Sequence, residues 1–154
     1  MQLLQKNSKI KDFTVQFFIK QGINAQSYRV KNKDGNNLFL KLFNCSKLHR
    51  TSFDENGELL EIKILRTSKH PNIVKYIDSG EVIIEQQKFA FLTLEFITGE
   101  TLSDFLVREK HMSSYEVKEY SKSILNGLKY LHTLPDPVVH NEITIQNVML
   151  DLSG

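Results

Sequence analysis

The stretch that decides the fold is Val138-Val139-His140-Asn141-Glu142-Ile143-Thr144-Ile145-Gln146-Asn147-Val148-Met149-Leu150-Asp151. An apolar pair, a polar cluster and a second apolar run predict a strand, a polar loop and a strand, with His140, Glu142 and Asn147 on the loop. There, a carboxylate can orient a hydroxyl nucleophile, and a carboxamide oxygen can bind a hard cation such as Mg²⁺. The alternative is that all three side chains only form hydrogen bonds within the loop. For the motif alone that alternative is favoured, because short motifs match by chance.

Composition excludes several classes of protein. The chain has 154 residues, of which 40% are hydrophobic and 25% charged, and this profile is typical of a soluble globular protein. A net charge of +2 argues against a nucleic-acid partner. We find no signal peptide and no apolar run that could span a bilayer, so we expect a cytoplasmic protein without a membrane partner. The single cysteine, Cys45, excludes an internal disulfide and a cysteine-based zinc site.

The first part of the chain predicts a small α+β lobe. β-Branched and aromatic runs predict about five strands, at residues 13–19, 27–30, 38–43, 82–84 and 89–97. The dipeptide Asp34-Gly35 predicts a hairpin turn between the second and third of them. One helix is predicted after the third strand, opening at a capping box, Ser52-Phe53-Asp54-Glu55, and ending before Pro71.

A single lysine interrupts the third strand. Lys41 lies between Leu40 and Leu42, and because side chains alternate along a strand it points to the opposite face. Considered on this strand alone, a solvent-facing lysine is favoured over a functional one, since lysine is seldom buried without a partner.

The pattern becomes helical after a short connector at Thr98-Gly99-Glu100. One helix is predicted from Thr101 to about Glu109, and a longer one from Ser114 to His132. The longer helix opens with a capping box at Ser113-Ser114-Tyr115-Glu116 and carries an apolar stripe that faces one core.

Taken in order, these parts resemble the protein kinase superfamily. The first motifs that carry the resemblance are the Lys41 strand, a helix with Glu61, and His70-Pro71-Asn72-Ile73-Val74. Leu94-Glu95-Phe96-Ile97 is similar to the hinge between kinase lobes. The last motif, Gly127-Leu128-Lys129-Tyr130-Leu131-His132, precedes the polar loop. The resemblance covers nearly the whole chain from about Phe13. It implies an α+β, protein kinase-like fold. Residues 1–97 would be an antiparallel five-stranded N-lobe with one main helix, and residues 98–154 the first helices of a truncated C-lobe, with the catalytic loop at 138–151.

The resemblance also implies a function, that of an ATP-binding phosphotransferase that uses Mg²⁺ and acts on a protein hydroxyl. Lys41 would pair with the α- and β-phosphates of ATP while Glu61 orients it, which reverses the interpretation of Lys41 as a surface residue. Glu142 would occupy the position of the catalytic aspartate, and Asn147 would hold Mg²⁺. The other binding residues it implies are Gly22 and Ala25 in the phosphate loop, the backbone of Glu95 and Ile97 at the adenine edge, and Met149 beneath the ring.

Departures from the family pattern keep other interpretations open. Lys20 and Ala25 replace two glycines of the phosphate loop, His140-Asn141-Glu142 stands for His-Arg-Asp, and Thr144 replaces a lysine that commonly neutralises the γ-phosphate. The chain ends at Gly154, before the position of the family's Asp-Phe-Gly motif, so we expect a fragment of a longer protein that is inactive by itself.

Two alternatives therefore remain. The first is a pseudokinase or scaffold module that binds nucleotide or a partner without catalysis. The second is a small-molecule kinase of the aminoglycoside-phosphotransferase type, although the His-Pro-Asn-Ile-Val motif favours the protein-kinase branch.

Overall fold

A six-stranded antiparallel sheet, in the order β1-β2-β3-β4-β6-β5, forms the first part of the fold. The structure is a computed structural model and describes residues 2–152. The strands of the sheet are β1 (Lys9–Ile10), β2 (Phe13–Gln21), β3 (Ala25–Lys31), β4 (Asn37–Asn44), β5 (Tyr76–Ile84) and β6 (Gln87–Glu95). Five of them were predicted, and the sixth, β1, is a two-residue strand too short for a periodic pattern to reveal. The predicted hairpin turn is confirmed by the positive φ of Gly35, 82°.

The sheet buries apolar side chains on both of its faces. On one face, Leu38, Leu40 and Leu42 of β4 belong to a cluster that also contains Tyr28 and Phe91. The opposite face packs against the helix α1 (Leu60–Thr67), in a cluster that contains Phe43 and Ile62. The alternation that places three leucines of β4 in one core therefore directs Lys41 toward the face that carries α1.

The N-terminal residues close the first of these two cores. The backbone N–H of Leu3 donates to Gln26 Oε1 at 2.9 Å, and that of Leu4 donates to the Tyr28 hydroxyl at 3.1 Å. Burial raises the pKa of Tyr28 above its ordinary value. The residues before β1 are therefore bonded to β3 and packed on the core of the sheet.

The start of α1 differs from the prediction. The predicted capping box at Ser52-Phe53-Asp54-Glu55 is wrong, because Ser52 ends a short 3₁₀ helix and α1 begins only at Leu60, with no side-chain cap. Asp54 instead organises the preceding loop: its Oδ1 accepts the N–H groups of Asn56 and Glu58, each at 2.9 Å. Aspartate side chains compete in this way with helix formation by bonding nearby backbone.

We expect the loop around Asp54 to stabilise the fold at neutral pH and to lose that contribution in acid. Lys63 Nζ lies 2.8 Å from Asp54 Oδ2, and this hydrogen bond, with those from the loop, lowers the pKa of Asp54. The stabilisation is therefore present above the unfolded pKa of about 3.9 and is lost as the pH falls through the lower folded value. We expect Asp54→Asn to lower the urea midpoint at pH 7 and to have a smaller effect at pH 3.

Glu55→Gln, in the same exposed loop, is the matched control and should leave the midpoint nearly unchanged at pH 7. An Asp54→Asn effect that is as large at pH 3 as at pH 7 would show that the ion pair does not carry the stabilisation.

The chain divides into two compact units. One contains the chain up to Ser68 together with Val74–Phe96, and the other contains Lys69–Ile73 and the chain from Ile97 onward. In the second unit, α2 (Leu102–Glu109) and α3 (Ser114–His132) have the predicted bounds to within one residue. Both helices begin with a capping box, and the one predicted for α3, between Ser113 and Glu116, is confirmed.

A two-stranded sheet in the second unit departs from the prediction. The expected connector at residues 98–100 contributes β7 (Gly99–Thr101), which pairs in antiparallel fashion with β8 (Met149–Asp151). The strand predicted at Val138–Val139 is wrong; the N–H of Val138 instead donates to Leu131 O, at the end of α3, at 3.0 Å. Ser153 and Gly154 lie outside the described residues. Within residues 2–152, no helix has both the length and the apolarity that crossing a bilayer requires.

Candidate functional site

An ion pair in which both carboxylate oxygens take part joins β4 to α1 in the first unit. Lys41 Nζ lies 2.8 Å from one carboxylate oxygen of Glu61 and 2.9 Å from the other. The ammonium also lies 4.9 Å from the centre of the Phe43 ring. Because an ammonium has three donors and the side chain of Lys41 is still 31% exposed, the pair can accept one further anionic partner.

The local sequence explains why the pair forms. Alternation in β4 places Lys41 on the α1 face, and Glu61 lies in the first turn of α1. A carboxylate is favourable near a helix N-terminus, where the backbone N–H groups carry partial positive charge. The two side chains, twenty residues apart in the chain, are therefore held in contact by the packing of α1 on the sheet.

The β2–β3 hairpin carries the residues predicted to contact phosphate. Gly22 follows β2 directly, and its N–H donates to Ala25 O at 2.8 Å, which closes a tight loop. Ala25 is buried, and its side chain belongs to the same core cluster as Phe43. Any contact of Ala25 with a ligand would therefore use its backbone. Lys20, which stands at a glycine position of the family, is exposed at the end of β2.

The loop between α3 and β8 holds its own polar residues in place. Asn147 Nδ2 donates to the carbonyl oxygen of Glu142 at 3.1 Å, and the N–H of Asn147 donates to Thr144 O at 3.0 Å. Since the amide nitrogen of Asn147 is used inside the loop, its Oδ1 is the atom available to a cation. The Glu142 side chain is exposed, as a group that must reach a substrate would be.

Asn141, in the same loop, has a φ of 60°. Asparagine is among the few residues other than glycine that adopt this left-handed conformation readily. The N–H of the next residue, Glu142, lies 3.4 Å from His140 Nδ1. The backbone around Glu142 is therefore set by a conformation that the local sequence tolerates well.

The loop is anchored on the start of α2. The N–H groups of Leu102 and Ser103 donate to Val148 O at 2.8 Å and to Ile145 O at 3.0 Å. These donors belong to the first turn of α2, where backbone N–H groups have no partner within the helix. The sequence analysis did not identify this anchor, since its bonds join backbone atoms more than forty residues apart.

The remaining predicted residues lie at or next to the ends of strands. Glu95 ends β6, and its N–H donates to Lys75 O at 2.9 Å while its Oε1 accepts the N–H of Lys75 at 2.7 Å. Ile97 is the first residue of the second unit after β6, and Met149, which begins β8, is 42% exposed. Among the predicted residues, direct contacts thus join Lys41 to Glu61 in the first unit and Asn147 to the backbone of Glu142 in the second.

The first four residues of the His-Pro-Asn-Ile-Val segment belong to the second unit, where α3 contacts them. The rings of His70 and Tyr130 lie 5.1 Å apart between centroids, and the N–H of Lys69 donates to the Tyr130 hydroxyl at 2.9 Å. Gly127 of α3 is buried, and a β-carbon there would lie 3.2 Å from Asn72 O. A small residue at position 127 therefore permits the close approach of this segment.

The amide oxygen of Asn147 is a donor of the type that Mg²⁺ accepts. Among residues 2–152, no group of three or more His, Cys, Asp and Glu side chains is placed to bind a metal ion. Mg²⁺ is usually held by one or two protein oxygens, with substrate phosphates and water completing its shell. Asn147 Oδ1 fits that requirement and would be the protein ligand.

Comparisons with known proteins identify the family of the chain. The family model described as "Protein kinase domain" matches residues 13–154. Serine/threonine-protein kinase WNK3 of Mus musculus is 33% identical over 105 residues, which cover 68% of this chain and 6% of WNK3. Probable serine/threonine-protein kinase CCRP1 of Zea mays is 28% identical over 127 residues, which cover 82% of this chain and 19% of CCRP1. The chain therefore spans only a small part of the curated relatives that it matches.

A solved structure has the same fold. The crystal structure of Rad53 1-466 in complex with AMP-PNP is similar with a TM-score of 0.74, over 93% of this chain and 36% of that chain, at 22% sequence identity. The α+β, kinase-like fold implied by the sequence is thereby confirmed.

Proposed function

The chain belongs to the protein kinase domain family, and from this premise we propose that it is part of an ATP-dependent phosphotransferase that acts on a protein hydroxyl. The observation that carries the proposal is the ion pair between Lys41 and both carboxylate oxygens of Glu61. A partly exposed ammonium that is oriented in this way can bind the phosphates of a nucleotide as its second anionic partner.

Six of the predicted residues would bind and orient the nucleotide, namely Gly22, Ala25, Lys41, Glu95, Ile97 and Met149. Lys41 would hold the α- and β-phosphates, with Glu61 fixing the direction of its ammonium. The backbone at Gly22 and Ala25 would approach the phosphates closely, since a glycine and a small residue leave room beside the chain. Glu95 and Ile97 would contact the adenine edge through their backbone, and Met149 would lie against the ring.

The loop of the second unit would act on the hydroxyl. The oxygen of the hydroxyl attacks the γ-phosphorus, the bond from that phosphorus to the bridging oxygen breaks, and ADP leaves. Glu142 would orient the hydroxyl and accept its proton. When bound, Mg²⁺ neutralises phosphate charge, and Asn147 would be its ligand. We place this chemistry in the cytoplasm, in agreement with the composition of the chain and its lone cysteine.

A pseudokinase is the second candidate. It is favoured by the residues that differ from the family pattern, above all Glu142 in place of an aspartate and Thr144 in place of a lysine. A carboxylate displaced by about 1 Å can lower a rate by about 10²-fold. A pseudokinase would still bind ATP through Lys41, and replacement of Glu142 would change nothing that can be measured.

Replacement of Glu142 separates the two candidates. In the complete product of the gene, Glu142→Gln is expected to keep the ATP-induced rise in melting temperature and to lower phosphate transfer from ATP by about 10²-fold or more, because it removes the proton acceptor. Thermal shift and transfer of labelled phosphate measure the two effects, with Mg²⁺ or Mn²⁺ present.

The matched control is Asp136→Asn, at another exposed carboxylate before the same loop, which should leave both quantities unchanged. Wild-type protein that is stabilised by ATP and transfers no phosphate would establish the pseudokinase. Equal transfer by wild type and Glu142→Gln would remove Glu142 from the mechanism.

A further inference from the structure

The first unit contains a hollow of about 270 Å³. Its lining includes none of the residues discussed above as catalytic or nucleotide-binding. We call it the basic hollow. Its lining residues are Lys6, Gln16, Phe17, Arg29, Lys31 and Asn37. Three of these are cations, two carry a side-chain amide, and the sixth, Phe17, is an aromatic residue that is 48% exposed.

The backbone positions Lys6 at the hollow. The N–H of Asn7 donates to Val15 O at 2.8 Å, and the N–H of Val15 donates to Ser8 O at 2.9 Å. These two bonds fasten the turn that contains Lys6 to the side of β2. The hollow is therefore built from four separate parts of the chain, namely this turn, β2, β3 and β4.

An irregularity in β2 brings two neighbouring side chains to the hollow. The register between β2 and β3 shifts between Val15 and Phe17, so that Val15 pairs with Val30 and Phe17 pairs with Arg29. Adjacent residues of a regular strand point to opposite faces, whereas an inserted residue changes that direction. Gln16 and Phe17 can consequently both line the same hollow.

Arg29 is held in a fixed orientation without being neutralised. Its Nε donates to Asn37 Oδ1 at 3.1 Å, and its guanidinium carbon lies 5.4 Å from the centre of the Phe17 ring and 4.8 Å from that of Phe96. All three partners are uncharged. The terminal nitrogens of a guanidinium held in this way can donate two parallel hydrogen bonds to an oxyanion.

The ion pairs among the described residues leave the cations of the hollow without a carboxylate partner. Among residues 2–152, the ion pairs that the structure describes include none with Lys6, Arg29 or Lys31. Lys33, two residues beyond Lys31, does have such a partner: its Nζ lies 2.9 Å from Asp12 Oδ1. Unpaired surface lysines are common, but an oriented, partly buried arginine with two lysines around one hollow is a more specific arrangement.

We propose that the basic hollow binds a phosphomonoester dianion, supplied by a phosphorylated side chain of a partner protein or by a small phosphate ester. Arg29, Lys31 and Lys6 would bind the phosphate oxygens. Gln16 and Asn37 offer amide groups beside them, and the exposed part of the Phe17 ring would contact the carbon atoms that carry the phosphate. This site does not depend on Lys41 or Glu142, and so it stands or falls independently of the proposed phosphotransferase activity.

The test is calorimetric titration of the complete gene product in a Lys41→Met background, which removes the other candidate phosphate site. The probes are phenyl phosphate, inorganic phosphate, a phosphoserine hexapeptide and the same hexapeptide without phosphate. If the phosphopeptide binds with higher affinity than every other probe, the source of the phosphate is a phosphorylated protein. Binding of phenyl phosphate alone identifies a small ester. Absence of binding by every phosphate probe overturns the proposal.

Charge substitutions distinguish this site from general attraction of anions. Lys31→Gln and Arg29→Gln are each expected to weaken binding about tenfold or more, because each removes a charge-assisted hydrogen bond. Lys33→Gln removes the same charge two residues away and should change the affinity less than about twofold. Lys6→Gln serves as a further variant because its residue lies outside the strands. Equal effects of Lys31→Gln and Lys33→Gln, or tighter binding of a single-stranded oligonucleotide than of any phosphate ester, would overturn the proposal.

Discussion

Replacing Lys41 by methionine is expected to lower kcat/KM for phosphate transfer from ATP by about 10²-fold or more, the loss that follows removal of one preorganised electrostatic contact in many enzymes. Methionine keeps an unbranched apolar side chain and removes the ammonium that Glu61 orients and that lies near the Phe43 ring. Steady-state transfer of labelled phosphate by the complete gene product measures the change.

The fold should tolerate this substitution. The side chains of Lys41 and Glu61 are 31% and 40% exposed, and ion pairs at such exposure contribute at most about 1 kcal/mol to stability. Lys33→Met is the matched control, since it breaks another lysine–carboxylate pair, that with Asp12, in the turns between strands of the same sheet. A similar loss of activity in both variants would mean that Lys41 acts through folding and has no special relation to the nucleotide.

Replacing Gly99 by alanine is expected to have the largest effect on folding, a loss of about 3 kcal/mol or more in the free energy of unfolding of the second unit. A β-carbon at this position would lie 1.8 Å from the backbone oxygen of Leu150, in the strand paired with β7. Because the obstacle is backbone, the clash can be relieved only by separating β7 from β8. Separation would also release the loop that carries Glu142 and Asn147.

Urea unfolding of the complete protein, followed by hydrogen exchange in β8, measures this effect. Gly22→Ala is the matched control, because a β-carbon there would meet its nearest neighbour, Ala25 O, only at 3.2 Å and in an exposed loop. The control should change the stability by less than about 1 kcal/mol. A Gly99→Ala protein as stable as the control would show that β7 and β8 are not closely paired.

Periodic patterns and motif order predicted most of the fold correctly. The predicted bounds of α3 are those of the structure, since nineteen residues with an apolar stripe and a capping box give a strong local signal. The contact of Lys41 with Glu61 follows from the resemblance and is present in the structure. The roles of both residues toward a nucleotide stay predictions, as do those of Glu142 and Asn147.

The features that the sequence did not predict depend on contacts between distant residues. The pairing of β7 with β8 joins Gly99 to Asp151, and neither three-residue segment has a periodic pattern of its own. The false capping box at Ser52 has the correct residue types, but Asp54 satisfies the loop backbone and delays the helix to Leu60. Val138 and Val139 are apolar enough for a strand, yet in the described chain no neighbouring strand pairs with them.

The most direct test of the central claim is transfer of the γ-phosphate of labelled ATP to a protein hydroxyl by the complete gene product, with Mg²⁺ or Mn²⁺ present and the labelled residue identified by mass spectrometry. We predict transfer by the wild type and by Lys33→Met, with loss of about 10²-fold or more in both Lys41→Met and Glu142→Gln. Wild-type protein that binds ATP and labels no hydroxyl, or labelling that survives both substitutions, would contradict the claim.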